Sequence, residues 1–248
     1  MIEVLDLTKR FRPVRRGGRE VAAVREVSFV ARPGEVFGLL GENGAGKTTT
    51  LRLLSTILAP TSGTATVMGH DIVKEPEKVR RVIGVVATDT GVYDRLTPRE
   101  ILRYFGQLND MDRPAIERRT SELFRRLGMD EYADRRAGQL SQGTKQKIHV
   151  ARAMISDPPV LLLDEPTAGL DVTSSRAVEE FILEAKGQGK TIVFSSHIMS
   201  QVEKVCDRVA IIHQGSILVE GTISELKGHQ AAARFEDVFV RLLGEGSR

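Results

Sequence analysis

The sequence predicts an α/β fold, a largely parallel sheet flanked by helices and interrupted by one helical insertion. Three features predict it. Short apolar runs alternate with amphipathic helical patterns over most of the chain, as expected of strands buried beneath crossover helices. A glycine-rich segment, residues 41–46, lies directly between one such run and a stretch of good helix formers. Between Asp89 and Ser156 no convincing strand pattern occurs, and three helical patterns follow one another.

The runs Val36–Leu40, Val82–Val86, Pro159–Leu163, Thr191–Phe194 and Arg208–Ile212 are read as buried strands. Lys47–Leu58 has helix composition. Thr97-Pro98-Arg99-Glu100 combines a capping-box threonine, a proline at the first helical position and the reciprocal glutamate, with Ile101, Leu102, Phe105 and Leu108 on one face behind them. A second pattern runs from Pro114 to Leu127, aligns Ile116, Leu123, Phe124 and Leu127, and stops at Gly128. The third begins at Ser141. Further helical faces are marked by Ala177, Val178, Phe181, Ile182 and Ala185, and by Ile198, Val202, Val205 and Cys206. From about His229 the residues turn small and charged, before Val238, Phe239, Leu242 and Leu243 suggest one last short helix. No internal repeat is found.

The 248 residues suffice for one large domain or two small ones, and 41% apolar with 28% charged content excludes a disordered or fibrous chain. A single cysteine, Cys206, leaves no intrachain disulfide, and no charged-then-apolar leader follows Met1, so a cytosolic protein is expected. Apolar runs such as Val160–Leu163 fall far short of the roughly 20 residues of a membrane span. The net charge of +3 suits nucleic acid, an anionic membrane or bound phosphates without choosing among them. Lys9, Arg10, Arg12, Arg15, Arg16 and Arg19, interrupted by Gly17-Gly18, read as a solvated, lengthened turn between two strands; no aromatic interleaving supports single-strand stacking.

Gly41-Glu42-Asn43-Gly44-Ala45-Gly46-Lys47-Thr48 follows an expected strand and opens an expected helix, the setting of a phosphate-binding P-loop. Glycines let successive N–H groups turn inward toward phosphate oxygens, and the helix N-terminus adds a favourable potential. Lys47 would reach the β- and γ-phosphates and the Thr48 hydroxyl would ligate Mg²⁺. Val160-Leu161-Leu162-Leu163-Asp164-Glu165 then supplies a buried strand ending in carboxylates at the edge where ligands bind such sheets. Asp164 is placed to hold Mg²⁺ directly or through water, and Glu165 to polarise the attacking water.

With these motifs the chain resembles the ATP-binding cassette (ABC) ATPases, and the resemblance extends from Ile2 to about Leu226. Leu140-Ser141-Gln142-Gly143-Thr144-Lys145-Gln146-Lys147 resembles the ABC signature, with Gln142 and Thr144 in place of the commonest Gly and Gln. Ala168-Gly169-Leu170-Asp171 resembles the D-loop, His197 the switch histidine that contacts the γ-phosphate, and Phe11 the aromatic on which adenine stacks. The ATP-binding set implied is Phe11, Gly41, Glu42, Asn43, Gly44, Ala45, Gly46, Lys47, Thr48, Thr49, Ser141, Gly143 and Asp171. Glu165, His197 and Lys47 are the catalytic set, and Thr48 and Asp164 the Mg²⁺ ligands. One departure stands out: the family usually carries a Gln after the strand ending at Val86, whereas Ala87-Thr88-Asp89-Thr90 occupies that stretch here. Thr88, at the expected position, has a shorter reach toward Mg²⁺ than Gln, and Asp89 could substitute through water.

The fold implied is a P-loop NTPase (RecA-like) core, residues 1–87 and 157–228, with an antiparallel β subdomain. It carries an inserted α-helical subdomain, 88–156, and a C-terminal tail, 229–248. The stretch from Tyr93 to Gly106, and Glu236-Asp237-Val238-Phe239, look like the bacterial sodium-exporter cassettes and their drug-exporter relatives. The resemblance implies an ATP-hydrolysing subunit, sandwiching ATP with a second copy of itself. It would power export, with Na⁺ the leading cargo, through a polytopic membrane permease at the cytoplasmic face of the cell membrane. Drug, lipid or polysaccharide export is the alternative cargo reading. A soluble ABC ATPase acting on nucleic acid or ribosomes is the rival class, encouraged only by the basic stretch near Arg15, and no nucleic acid is expected.

Overall fold

A computed structural model describes residues 1–12, 20–87, 91–229 and 235–246 of the chain. Along the chain run β1 (Ile2–Phe11), β2 (Val21–Ala31), β3 (Val36–Leu40), α1 (Lys47–Leu54), β4 (Ser62–Val67), β5 (His70–Asp71), α2 (Pro76–Val82) and β6 (Ile83–Val86). A purely helical stretch follows, α3 (Pro98–Leu108), α4 (Arg113–Leu127) and α5 (Gln142–Met154), with two short 3-10 turns between α4 and α5. The chain then returns to alternation with β7 (Val160–Asp164), α6 (Val172–Gly187), β8 (Thr191–Ser196), α7 (Met199–Val205), β9 (Arg208–His213) and β10 (Ser216–Thr222). It closes with α8 (Ile223–His229) and α9 (Phe235–Gly246).

Two sheets result. The larger has the order β10-β9-β3-β8-β7-β6, parallel throughout except for the β9–β10 hairpin. The central strands β3, β7 and β8 are buried along their whole length because both faces of the sheet are covered there. Val36 and Leu40 of β3, Leu161 and Leu163 of β7, and Ile192 and Phe194 of β8 pack toward the helices, while Phe37, Leu39, Val160, Leu162 and Val193 pack toward α1 and the second sheet. Burial on both faces is what turns alternation into continuous apolar runs. The second sheet, β2-β1-β4-β5, is antiparallel. Its join to the first includes a stacked pair, Phe29 and Phe37, with ring centroids 4.8 Å apart.

The five expected strands form, with small shifts. Val82 ends α2, and the strand begins at Ile83. The helix expected over Lys47–Leu58 stops at Leu54, because Thr56 turns into the left-handed region at φ 61°. The Thr97–Glu100 capping box forms in both directions, with the Glu100 N–H donating to Thr97 Oγ1 at 3.2 Å and the Thr97 N–H to Glu100 Oε2 at 2.8 Å. Gly128 ends α4 at φ 59°. The closing helix is longer than expected and well anchored, with Phe235 and Val238 fully buried. Among the described residues no helix is long and apolar enough to cross a membrane.

The helical stretch is tied to the sheet by α5, whose Ile148, Val150, Ala151 and Met154 lie in the same core as Val86, Leu161 and Leu163. His149 is buried on this helix, and its Nδ1 has no hydrogen-bond partner. Burial pushes its pKa down from the ordinary 6.5 to about 4, with repulsion from Arg152 adding to the effect. The unfolded chain takes up a proton near pH 6.5 that the folded chain refuses. Stability at this site is therefore intact above that pH and falls as pH drops toward 4, by up to about 3 kcal/mol. Urea denaturation between pH 7 and pH 4 should show this loss, and His149→Leu should flatten it; an equal slope in both proteins would contradict the assignment.

Candidate functional site

The turn after β3 is built by backbone constraint. Gly46 adopts φ 113°, and a Cβ there would lie 2.5 Å from the Ala23 carbonyl oxygen; one on Gly41 would lie 2.3 Å from the Ile212 carbonyl oxygen. Only glycine fits either position. The turn is gripped from outside by the β9–β10 hairpin, whose Gly215 N–H donates to the Ala45 carbonyl at 2.9 Å. No side chain caps the first turn of α1. Its free N–H groups face a cleft of about 110 Å³ lined by Asn43, Gly44, Gly46, Lys47, Thr48, Thr49 and Glu165. Glu42, beside it, is exposed, and Ala45 is buried.

Lys47 is 5% exposed, and its ammonium donates to the carbonyls of Gly41 at 2.7 Å and Glu42 at 3.1 Å. Burial pushes its pKa below the usual lysine value, with Glu165 and Asp164 pulling the other way. Asp164 and Glu165 arrive at the end of β7. Asp164 is 2% exposed and pairs in register with Ser195 of β8. The Ser195 hydroxyl donates to Asp164 Oδ1 at 2.6 Å and accepts the Glu165 N–H at 3.1 Å. Glu165 Oε1 lies 3.9 Å from Lys47 Nζ and 3.0 Å from His197 Nδ1. Three segments more than 100 residues apart at the extremes, 41–47, 164–165 and 195–197, thus meet at one sheet edge.

The signature-like residues reach Glu165 from another side, Gln142, Lys145 and Gln146 lining a separate cavity of about 620 Å³ with Glu165 and Gly169. Ser141 caps α5 by accepting the Thr144 N–H at 3.1 Å, and Gly143 lies under Leu170, whose Cδ2 would be 3.4 Å from a Cβ there. Gln146 donates to the Pro166 carbonyl at 2.9 Å, fastening α5 to the segment after Glu165. Among the described residues no member of α5 lines the cleft at Lys47. Asp171 caps α6 through the Ser174 N–H at 2.9 Å, and that bond holds its carboxyl below the usual range. Phe11 ends β1, half exposed, with Lys9 Nζ 5.4 Å from its ring centroid, so its face is not consumed by core packing. Thr88, Asp89, Arg15, Arg16 and Arg19 lie outside the described residues.

Sequence reasoning missed Ser195 and Gly215. Ser195 was hidden because the strand seemed to end where its apolar run ended, at Phe194; a serine placed beside Asp-Glu by parallel pairing is visible only once the register is known.

Comparison with known proteins places these features. A family model described as "ABC transporter" matches residues 24–168. The chain is 44% identical over 247 residues to the ABC transporter ATP-binding protein NatA of Bacillus subtilis, spanning 99% of both chains. It is 37% identical over 225 residues to the doxorubicin resistance ATP-binding protein DrrA of Mycobacterium tuberculosis, spanning 91% of this chain and 68% of that one. A solved ATP-binding subunit of an ABC transporter superposes with a TM-score of 0.86 at 29% identity, covering 98% of this chain and 99% of the other.

Loss of the Lys47 ammonium removes a buried charge from the floor of the cleft. Lys47→Ala should weaken ATP binding by about 10- to 100-fold, the worth of charge-assisted hydrogen bonds to phosphate. Titration calorimetry giving wild-type affinity would show that the cleft is not the phosphate site.

Proposed function

The chain belongs to the ATP-binding proteins of ABC transporters, and from that premise we propose that it hydrolyses ATP to power export through a separate membrane subunit. The observation that carries this reading is the convergence of Lys47, Asp164, Glu165 and His197 at one edge of the parallel sheet. The N–H groups of residues 44–48 bind the phosphate oxygens, and Lys47 exchanges its carbonyl partners for the β- and γ-phosphates. Thr48 and Asp164 offer the hard oxygens that suit Mg²⁺ beside phosphates, and the ion would neutralise phosphate charge there. Glu165 accepts the proton of the attacking water as its oxygen bonds to the γ-phosphorus and the bond to the β-phosphate oxygen breaks. His197 holds the Glu165 carboxylate through Oε1. Phe11 offers its exposed face to the adenine.

A second copy completes the site. The cleft at Lys47 lacks any α5 residue among those described, while Ser141 and Gly143 sit at the start of a helix whose N-terminus suits a γ-phosphate. ATP then bridges two chains, and its hydrolysis releases them. Asp171, which follows Leu170 in the D-loop-like segment, would meet the partner copy in this reading. Residues 1–87 and 157–228 form the nucleotide-binding core in this reading, 88–156 the helical subdomain and 229–248 the tail. A groove of about 440 Å³ between the two, lined by Ile57, Gly84, Tyr93, Phe105 and Arg152 among others, offers the membrane subunit an aromatic and basic seat. The protein would be held by that contact at the cytoplasmic face of the membrane.

Na⁺ is the proposed cargo, on the resemblance of Tyr93 to Gly106 to sodium-exporter cassettes. Drug export is the second reading, favoured by the likeness to DrrA.

Glu165→Gln should keep ATP binding and slow hydrolysis by about 10²–10⁴-fold, since only the proton acceptor is lost. The variant should run as a dimer in ATP by size-exclusion chromatography; monomer alone would contradict the two-copy site. Vesicles holding this chain and its membrane subunit should move ²²Na⁺ on addition of ATP. Intact ATPase activity without ²²Na⁺ movement would leave the ATPase and remove the cargo.

A further inference from the structure

Ser195 stands 0% exposed at the end of a strand that is otherwise apolar from Ile192 to Phe194. Alanine or valine would fill that position without a buried hydroxyl to satisfy, so the hydroxyl needs partners that justify it. It has two. A backbone N–H can only donate, so the Glu165 N–H must give its hydrogen to Ser195 Oγ, and the hydroxyl's own hydrogen is left for Asp164 Oδ1. The Ser195 carbonyl takes the same Glu165 N–H at 3.2 Å.

Glu165 has φ 46°, a left-handed backbone that is uncommon for a non-glycine residue. That backbone turns the chain out of β7 and aims the Glu165 carboxylate between Lys47 and His197. The two bonds to Ser195 are what its N–H makes in this turn. The same hydroxyl fixes the rotation of the Asp164 carboxylate. One oxygen atom therefore bonds both the metal-side carboxylate and the backbone of the residue that carries the water-side carboxylate.

We propose that Ser195 is a positioning residue for hydrolysis, its hydroxyl locking Asp164 and the Glu165 backbone into one unit. The proposal rests on the function proposed above and adds a residue to it. Support by a neighbouring hydrogen-bond donor is commonly worth about tenfold or more in metal affinity or activity.

The test uses the full chain and its Ser195→Ala and Ser195→Thr variants, the second keeping the hydroxyl. Ser195→Ala should lower turnover by about tenfold. A fluorescent ATP analogue in EDTA should bind it within about twofold of wild type, while the gain in affinity on adding Mg²⁺ shrinks by about fivefold or more. Ser195→Thr should restore both quantities. Wild-type turnover and wild-type Mg²⁺ gain in Ser195→Ala would overturn the proposal, as would a Ser195→Thr protein that behaves like the alanine variant. A wild-type protein that fails to hydrolyse ATP would bring down the function itself and this role with it, whereas an active wild type matched by Ser195→Ala removes only the role of Ser195.

Discussion

The parallel pairing of β3, β8 and β7 is the constraint from which the site follows. Leu40 pairs with Ser196, and Ser195 with Asp164, so the chain leaves all three strands at one edge and within reach of one ligand. Parallel strands need crossover connections, and the helices that supply them, together with the second sheet, cover both faces. The same coverage that buries the strands keeps their ends at fixed height. A one-residue slip of β8 would carry Ser195 away from Asp164 and turn its side chain to the other face of the sheet.

Charge is managed by close partners at that edge. Lys47 is nearly buried, yet two carbonyl oxygens accept from its ammonium and two carboxylates stand near it. Glu165 lies between Lys47 and His197, and Asp164 is bound by Ser195. Burying these groups without such contacts would be strongly unfavourable. The two carbonyl contacts of Lys47 are ones that phosphate oxygens can replace, so the arrangement is stable alone and receptive to an anion.

Helices α3 and α4 approach each other closely. Gly106 of α3 approaches α4 so closely that a Cβ would fall 2.6 Å from Ile116 Cγ1. Gln146 fastens α5 to the Pro166 carbonyl, and beside it Thr167 donates to Gln201 of α7 at 2.7 Å. Those bonds link α5 and α7 to the segment that follows Glu165, a short mechanical route between the hydrolytic edge and the helices.

The sequence alone determined the parallel sheet, the helical stretch and most of the site, because their signals are local. A glycine-rich turn before Lys47-Thr48, an apolar run ending in Asp164-Glu165, and a capping box at Thr97 are each set by neighbours along the chain. The antiparallel sheet was less legible. Asp6 and Glu26 take positive φ values, and the pairing of β1 with β2 shifts register between Val4 and Leu7, so strict alternation is broken where the strands are longest. Tertiary structure decided what depends on register and on distant backbone. It set Ser195 against Asp164, Gly215 against the turn at Ala45, and Lys47 onto carbonyl oxygens, and it left Ser141 and Gly143 away from the cleft at Lys47. None of these is written in a run of adjacent residues, because each arises only when strands far apart in sequence are laid side by side.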